Sequence, residues 1–235
     1  MSSTKSNLAV WVIIPAFNEE KSIAKVIAEI PKDVTDIIVV DNNSTDQTTS
    51  VALKAGATVV HQKQMGYGNA CLKGIAHIKP KAQNQDIIVF LDGDYSDFPE
   101  EMPLLIEPIT DEKVEFVVGA RSAALRSKNS MTPQQVFGNA LATALMRWFF
   151  RSKFTDLGPF RAIRYKTLQK LNMSDKTYGW TVEMQLKVLK QGIAYDEVPV
   201  SYKDRIGQSK VSGTLKGTIF AGIKIMGWIF KYSLK

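Results

Sequence analysis

Short continuous apolar runs alternate with amphipathic segments through the first half of the chain. The apolar runs lie at residues 7–14, 36–40, 57–60, 86–91 and 114–120. They are rich in Val and Ile and show no polar alternation, which is typical of parallel strands buried on both faces of a sheet. Segments with helical periodicity lie between them, at residues 19–30, 42–56 and 66–78. Strands and helices in this order predict βαβ units and an α/β fold with an open, doubly wound sheet.

The pattern changes after residue 121. Residues 122–135 are polar and predict a loop, whereas residues 136–150 predict a strongly apolar helix. Later segments predict a short strand with a helix, a second helix, a late strand and a last helix, at residues 155–171, 181–192, 193–204 and 215–235. Since no Pro- or Ser-rich linker and no repeat interrupts the chain, we expect one domain over residues 1–214, followed by the C-terminal helix.

Composition and charge narrow the choice of partners. Of the 235 residues, 45% are hydrophobic and 23% are charged, so the chain can bury a sizeable core. The formal net charge of +7 favours an anionic partner, such as nucleic acid, an anionic membrane face or a phosphorylated small molecule. The single Cys71 excludes an internal disulfide and a multi-cysteine metal site, and it favours a reducing, cytosolic setting. Neither a signal peptide nor a spanning helix of about 20 apolar residues is predicted.

Polar clusters follow the predicted strands. They are PAFNEE from Pro15, DNNSTD from Asp41, DGDYSD from Asp92 and GAR from Gly119. Because ligands bind at the carboxyl ends of the strands in open α/β sheets, we expect a site where these loops meet. Asp41 ends its strand ahead of a helix cap at Ser44, so its carboxylate suits hydrogen bonds from a ribose or a nucleobase edge.

Asp92-Gly93-Asp94 is the sharpest of these clusters. Two carboxylates one residue apart after a strand can reach one divalent cation, and all-oxygen ligands suit Mg²⁺ or Mn²⁺. The alternative is an acidic turn that caps the helix predicted to begin near Pro99, and we expect Asp97 to lie near the start of that helix. An EF-hand is excluded, because Asp97 stands where such a loop needs glycine.

A basic stretch, YKDRIGQSKVSGT, covers residues 202–214. Its cations, glycines and hydroxyls suit phosphate oxygens, although a solvated basic loop has the same composition. Arg121, Arg161 and Arg164 are further candidates for phosphate contacts. Nucleic acid is not favoured as a partner, because the basic residues are not interleaved with aromatic ones and no recognised binding motif occurs. The segment GYGNACLKG lacks the third glycine of a dinucleotide fingerprint, and the chain has no P-loop sequence.

Taken in order, these motifs resemble those of the family 2 glycosyltransferases with the GT-A fold, over about residues 12–214. The resembling segments are VIIPAFNEE, VVDNNSTDQT, FLDGDYSDFPEEM, TDLGPFRAIR, YGWTVEMQLK and RIGQSKVSGT. The last segment is similar to the closing basic loop of the polyprenyl-phosphate subgroup, which includes dolichyl-phosphate mannosyltransferases and glucosyltransferases. One position departs from that subgroup, since Ser96 stands where a Gln can help to bind the metal.

The resemblance implies a role for each matching residue. The nucleotide-sugar would contact Pro15, Phe17, Glu19, Asp41, Asp92, Gly93 and Asp94. The metal, Mg²⁺ or Mn²⁺, would bind Asp92 and Asp94. Phosphate groups of the donor or acceptor would contact Arg121, Arg205, Ser209 and Lys210. The catalytic residues would be Asp94, Glu183 and Arg205, with Glu183 near the acceptor.

The resemblance also implies the reaction. We expect metal-dependent transfer of a hexose, with inversion, from a UDP- or GDP-sugar to a polyprenyl or dolichyl phosphate. A lipid phosphate is already anionic and needs no strong base, whereas a hydroxyl acceptor, on a glycolipid for example, would need one, for which Glu183 is the candidate. A sugar-nucleotidyltransferase is an alternative, but PAFNEE lacks the glycine-rich loop of that class. A non-catalytic nucleotide-sugar binding module is the third hypothesis.

The C-terminal helix is amphipathic. On a helical wheel, four lysines share one side: Lys216, Lys224, Lys231 and Lys235. Apolar residues fill much of the other side, which indicates a helix in the plane of an anionic membrane. We therefore expect peripheral attachment to the cytoplasmic face, with the apolar helix at 136–150 on the same surface. The alternatives are packing on the domain core and burial in a homo-oligomer.

Overall fold

A computed structural model describes residues 8–128, 130–207 and 215–234, and for residues 215–221 it describes the backbone alone. Two of the predicted phosphate-binding residues, Ser209 and Lys210, lie outside the described residues.

Seven strands form one mixed sheet in the order β3-β2-β1-β4-β6-β5-β7. The strands are β1 Val10–Ala16, β2 Asp36–Asp41, β3 Thr58–His61, β4 Ile87–Phe90, β5 Phe116–Arg126, β6 Arg161–Arg164 and β7 Tyr195–Tyr202. Strands β1 to β4 are parallel, β5 pairs in parallel with β7, and β6 runs antiparallel to both β4 and β5. The predicted α/β fold with a mostly parallel sheet is therefore confirmed.

Helices cover both faces of this sheet. They are α1 Ile23–Glu29, α2 Thr48–Lys54, α3 Tyr67–Ile78, α4 Met102–Thr110, α5 Pro133–Phe150, α6 Tyr165–Leu171, α7 Trp180–Lys190 and α8 Leu215–Ser233. A single 3₁₀ turn at Pro99–Glu101 leads into α4. All four residues of β4 are fully buried, as the continuous apolar run at this position predicts.

Two apolar clusters lie on opposite faces of the sheet. One contains Phe90, Phe116 and Trp180 and extends to α8. The other contains Ile14 and Leu105, with side chains of α1 and α4. Each fully buried side chain of this kind contributes about 1.5–3 kcal/mol to stability. Because both faces are covered, the polar ends of the strands are where the sheet meets solvent and can hold a ligand.

Strand β5 is longer than its hydrophobic pattern indicates. The sequence predicts a loop over residues 122–135, but residues up to Arg126 belong to β5, and Arg126 lies opposite Tyr202 of β7. The side chains at this end are polar or exposed, whereas the backbone still pairs with β7, so the pattern misses the strand. Helix α5 begins at Pro133, where Thr132 and Gln135 form a capping box.

The last helix, α8, packs on the domain. It contacts α5 and α7, and Ile229 is completely buried in the interface. The Phe149 and Phe230 rings meet edge to face, with their centroids 5.9 Å apart. Among the described residues, no helix combines the length and the apolar character needed to cross a bilayer.

Candidate active site

A pocket with a volume of about 350 Å³ lies beyond the carboxyl ends of β1 and β4. It brings together seven of the predicted site residues: Pro15, Phe17, Glu19, Asp92, Gly93, Asp94 and Arg205. Its other lining residues, for which the sequence predicts no site role, are Ala16, Asn42, Met65, Gly66, Tyr67, Thr177 and Tyr178. The pocket therefore combines the acidic loops of the parallel strands with a cation from the loop after β7.

Asp92 presents a carboxylate to this pocket. Its Oδ1 atom is buried and has no hydrogen-bond partner among the described residues. Burial, together with the neighbouring Asp94 carboxylate, raises the pKa of Asp92 to about 7. The Tyr67 hydroxyl and the cations Arg205 and Arg121 act in the opposite direction and lower this pKa. Asp92 thus lies in a setting where positive charge favours the carboxylate.

Asp94 is held by a cation and a hydroxyl. Its Oδ2 lies 2.9 Å from Arg205 Nη2, and its Oδ1 accepts hydrogen bonds from the backbone N–H and the hydroxyl of Ser96. Ile206 N–H also donates to the backbone carbonyl of Asp94 at 2.9 Å. Ser96, which departs from the subgroup pattern, thus orients Asp94.

Glu19 completes the charge pattern around Arg205. Its Oε1 lies 3.7 Å from Arg205 Nη2, so the same guanidinium faces carboxylates from the loops after β1 and β4. Lys203 of the same basic segment is directed elsewhere, because its ammonium lies 3.4 Å from the centre of the Tyr95 ring and 3.4 Å from Glu29. Arg205 is therefore the cation of this described segment that faces the pocket.

Asp92 and Asp94 could hold a divalent cation whose remaining coordination positions are filled by substrate oxygens and water. No cluster of three or more His, Cys, Asp or Glu side chains suited to a metal occurs among the residues that the structure describes. Two carboxylates, one of them with an unpartnered oxygen, leave most coordination positions of a Mg²⁺ or Mn²⁺ ion to phosphate oxygens and water. This is the usual donor set where magnesium carries a substrate diphosphate.

Asp97 directly precedes Phe98, the N-cap of the 3₁₀ turn at Pro99–Glu101, near the helix start that the sequence predicts. Its backbone pairs with Tyr202, its side chain is buried, and neither carboxyl oxygen has a hydrogen-bond partner in the described part of the chain. Burial and the nearby Asp92 and Asp94 carboxylates raise the pKa of Asp97 well above its ordinary value. Because β7 covers this loop, burial opposes the negative charge that the sequence predicts at this helix start.

Asp41 lies beside the pocket and does not line it. It accepts a hydrogen bond from Ser44 N–H and lies 3.1 Å from His61 Nδ1. The next residue, Asn42, lines the pocket, and its Oδ1 accepts from Gly66 N–H at 2.8 Å. Asn42 thus fixes the loop before α3, in which Met65 and Gly66 form part of the pocket wall.

Arg121 is bound to a carboxylate outside this pocket. Its Nε and Nη2 donate to Asp156 at 2.8 and 2.7 Å, and its guanidinium lies 5.2 Å from the centre of the Tyr202 ring. Burial opposes the charge of Arg121, but the Asp156 carboxylate outweighs this effect and raises the pKa of Arg121 above its ordinary value. Asp156 thus occupies the guanidinium in this structure, and the predicted contact of Arg121 with a donor or acceptor phosphate stays a prediction. Arg161 and Arg164 donate to backbone carbonyls instead of lining the pocket.

A second cavity of about 430 Å³ lies on the other side of Arg121, between β5 and α5. Its lining includes Arg126 and Arg147, neither of which forms an ion pair within the described ranges. The segment from Tyr202 to Arg205 runs from this cavity to the pocket at Asp94. We call this second space the arginine cavity.

Glu183 lies away from the pocket and is completely buried in α7. It accepts hydrogen bonds from Ser174 N–H, Asp175 N–H and the Ser174 hydroxyl, and it pairs with Lys187 at 2.8 Å. A base must reach the proton that it removes, and these contacts leave Glu183 no access to a substrate. Glu183 binds the segment at residues 174–175 in this structure, and its role as an acceptor-side base stays a prediction.

The glycines at the start of α3 are a signal that the sequence interpretation missed. A Cβ atom on Gly66 would lie 2.2 Å from the Lys176 carbonyl oxygen, and one on Gly68 would lie 2.0 Å from that of Asp175. The segment GYG therefore permits close backbone packing against the loop before α7. That packing brings Thr177 and Tyr178 to the pocket beside Tyr67.

Comparisons with known proteins agree with this site. Residues 11–171 match the family described as glycosyl transferase family 2. The chain is 33% identical over 218 residues to an uncharacterized glycosyltransferase of Mycobacterium tuberculosis, covering 91% of this chain and 94% of that protein. It is 28% identical over 235 residues to an undecaprenyl-phosphate mannosyltransferase of Micrococcus luteus, covering 94% of each.

A solved structure has the same fold. It is glucosyl-3-phosphoglycerate synthase from Mycobacterium tuberculosis in complex with Mn²⁺, UDP and glucosyl-3-phosphoglycerate. It matches with a TM-score of 0.74 at 22% identity, covering 96% of this chain and 80% of that one. The synthase has also been crystallised with Mg²⁺ and UDP.

The structural likeness confirms the predicted GT-A fold, and the family match covers more than half of the chain. The protein is therefore an enzyme of the glycosyltransferase class, and it belongs to glycosyl transferase family 2.

Proposed function

We propose that this enzyme transfers a hexosyl group from a UDP- or GDP-sugar to a polyprenyl phosphate, with a divalent cation and with inversion at the anomeric carbon. The observation that carries the proposal is the Asp92–Asp94 pair after β4, which lines a pocket together with Arg205. A negative diphosphate needs a cation to bind beside two carboxylates, so the pair is suited to a metal-bound nucleotide.

In this proposal the nucleotide occupies the pocket at the strand ends. The apolar and aromatic side chains of Pro15, Phe17, Tyr67 and Tyr178 surround the nucleoside. Asp92 and Asp94 hold Mg²⁺ or Mn²⁺, which neutralises the charge of the leaving diphosphate. Arg205 adds a second positive charge at the same place, which favours departure of the nucleoside diphosphate. The synthase of the same fold, which binds UDP with Mn²⁺ or Mg²⁺, supports this arrangement.

The acceptor phosphate binds, in this proposal, in the arginine cavity. Arg126 and Arg147 supply positive charge there, while Asp156 holds Arg121 in the wall between the two sites. A phosphate acceptor is already ionised at pH 7 and can attack without a general base. The burial of Glu183 is consistent with such an acceptor. The 28% identity with an undecaprenyl-phosphate mannosyltransferase supports a lipid carrier.

The lipid part of the acceptor requires a membrane, and an apolar surface beside the arginine cavity is suited to it. Its exposed side chains belong to α5 and α8 and are Phe137, Leu141, Trp148, Phe149, Ile223 and Phe230. Trp148 is 82% exposed and Phe137 is 71% exposed, which is costly in water. We call this the α5–α8 surface and propose that it rests on the cytoplasmic face of an anionic membrane, aided by the net charge of +7.

A donor and acceptor screen tests the proposal. UDP-glucose, UDP-galactose, GDP-mannose and GDP-glucose are each incubated with the enzyme, MgCl₂ or MnCl₂ and a short-chain polyprenyl phosphate. We expect one donor to give a lipid-linked sugar by mass spectrometry, and EDTA to abolish the product. Parallel reactions contain the matching polyprenol or 3-phosphoglycerate. Transfer to either hydroxyl acceptor with none to the lipid phosphate would overturn the acceptor assignment.

A further inference from the structure

The wall of the nucleotide pocket is joined to the C-terminal helix. Thr177 and Tyr178 line the pocket and belong to residues 172–179, which we call the α6–α7 loop. This loop carries no residue of the Asp92–Asp94 cluster, and it touches α8 on its other side. Its position therefore sets where Thr177 and Tyr178 lie in the pocket wall.

Asp175 makes this connection. Its side chain is 1% exposed. Oδ1 accepts hydrogen bonds from Thr177 N–H at 2.7 Å and Gly179 N–H at 3.2 Å, within the loop. Oδ2 accepts from Trp228 Nε1 of α8 at 2.7 Å and lies 3.0 Å from Lys224 Nζ of the same helix. One carboxylate therefore bonds the pocket wall with one oxygen and α8 with the other.

The charge of Asp175 is well supported. Although burial opposes ionisation, the N–H of Thr177 and the donors of Lys224 and Trp228 lower the pKa of Asp175 below its ordinary value. Hydrogen bonds to an ionised group contribute more to stability than hydrogen bonds between neutral groups. The Asp175 contacts are thus strong enough to select one position of the loop.

Close packing leaves the loop little freedom on either side. A Cβ atom on Gly179 would lie 2.4 Å from Trp228 Nε1, so the indole lies directly on the loop backbone. On the opposite side, Asn69 N–H of α3 donates to the Lys176 carbonyl at 3.0 Å. The loop is thus fixed between α8 and the start of α3, whose Tyr67 also lines the pocket.

We propose that Asp175 is a positioning residue for nucleotide binding, which holds Thr177 and Tyr178 in place by anchoring the α6–α7 loop to Trp228 and Lys224 of α8. This inference rests on the proposed function, because it assumes that a nucleoside diphosphate occupies the pocket. It assigns to α8 a role in nucleotide affinity that does not depend on a membrane.

Trp228→Phe is the sharpest test. Phe keeps an aromatic ring beside Tyr232 but removes the N–H that donates to Asp175, while Ile229 continues to bury α8 on the domain. Tyr232→Phe is the matched control, since it removes a hydroxyl from the same helix without a contact to Asp175. Calorimetry measures the Kd of UDP and of GDP, each with MgCl₂ and without lipid, well below the melting temperature. We expect Trp228→Phe to weaken binding about five- to tenfold and Tyr232→Phe to leave it within about twofold.

Asp175→Asn provides a second, independent variant. The amide keeps an oxygen for the Thr177 and Gly179 N–H groups but turns an NH₂ group toward Trp228 and Lys224, which are donors themselves. We expect the same loss of nucleotide affinity. The double variant should lose no more than about twofold beyond the single ones, because both remove the same connection. In turnover assays the KM of the donor should rise while kcat stays within about twofold.

The outcomes separate this inference from the proposed function. If the wild-type protein binds neither UDP nor GDP, the proposed function fails. If it binds one of them, and folded Trp228→Phe and Asp175→Asn bind it with unchanged Kd, the positioning role fails and the proposed function stands. An equal loss of affinity in Tyr232→Phe would also overturn the positioning role, because it would show a general effect of α8.

Discussion

Arg205 Nη2 lies 2.9 Å from Asp94 Oδ2, across two loops that are more than a hundred residues apart in the chain. The contact joins the segment after β7 to the acidic turn after β4, and Ile206 N–H reinforces it with a bond to the Asp94 carbonyl. The two parts of the site are therefore assembled before any substrate binds. A preorganised charge pattern of this kind costs little reorganisation during the reaction.

Asp94→Asn should abolish sugar transfer and leave the fold intact. The amide retains an oxygen for the Ser96 N–H but removes the charge that faces Arg205 and the proposed cation. We expect kcat/KM to fall by about 100-fold or more, because a lost metal ligand removes several kcal/mol of transition-state stabilisation. Circular dichroism and the melting temperature check the fold. Asp111→Asn is the control, since Asp111 is an exposed carboxylate paired with Lys113. Near-normal transfer by a folded Asp94→Asn protein would contradict the metal assignment.

The Asp97→Asn variant should gain stability relative to wild type as the pH rises. The quantity is the free energy of unfolding of the variant minus that of wild type. The folded protein raises the pKa of Asp97, through burial and the Asp92 and Asp94 carboxylates, above the value of about 3.9 in an unfolded chain. The native state thus holds the proton more tightly, so the contribution of Asp97 is complete below about pH 4 and is lost as the pH rises through the raised pKa. The asparagine side chain of the variant does not titrate.

Urea unfolding in EDTA at pH 5 and pH 8 measures this effect. We expect the free energy of unfolding of the Asp97→Asn variant, minus that of wild type, to be larger at pH 8 than at pH 5. Subtraction of the two proteins cancels the titration of their shared groups. An equal difference at both pH values would show that Asp97 is ionised in the fold, contrary to its unpartnered, buried position.

Glu183→Gln should lower stability far more than it lowers catalysis. Glu183 is fully buried, accepts hydrogen bonds from the Ser174 and Asp175 N–H groups, and pairs with Lys187. Removal of one partner from a buried ion pair costs about 3–5 kcal/mol of stability. The melting temperature should therefore fall by several degrees. Below that temperature, kcat should stay within about tenfold of wild type, with an unchanged pH profile. Loss of the low-pH limb of the kcat profile would instead identify Glu183 as the general base.

The residues at the strand ends could be predicted from the sequence, because the apolar runs mark where each strand ends and ligands bind at the carboxyl ends of parallel strands. Asp92, Asp94 and Glu19 meet in the pocket for this reason. Arg205 is also placed as the resemblance implies, although it belongs to a loop with no periodic pattern.

Some contacts could not be predicted from the sequence, because they join residues that are distant in the chain. Arg121 carries a charge that a phosphate could use, but Asp156 binds it from 35 positions away. Glu183 stands on a helix whose sequence does not reveal that a turn at Ser174 and Asp175 covers its carboxylate. The packing of α8 on the domain, through Ile229, likewise depends on surfaces formed by α5 and α7. Only the tertiary structure shows which polar side chains form their hydrogen bonds and ion pairs within the protein.

Substitutions in the arginine cavity should change the KM of the acceptor and not that of the donor. Arg126→Gln and Arg147→Gln remove charges that line this cavity and leave the pocket at Asp94 unchanged. We expect each to raise the KM of the polyprenyl phosphate about tenfold, while the KM of the donor stays within about twofold. Arg151→Gln, at the exposed end of α5, is the matched control. An unchanged acceptor KM in both cavity variants, or an equal rise in the donor KM, would place the acceptor phosphate elsewhere.

Substitutions on the α5–α8 surface test membrane attachment better than deletion of α8, because α8 buries Ile229 and its removal would expose the core. Phe137→Ser combined with Trp148→Ser should lower co-sedimentation with anionic vesicles at least about fivefold, since two exposed aromatic side chains no longer enter the interface. Leu53→Ser combined with Leu104→Ser is the matched control, because these leucines are also exposed but belong to α2 and α4. Wild-type binding should weaken at high salt, as expected for a basic protein on an anionic surface. Equal sedimentation of both double variants would assign the α5–α8 surface to another partner.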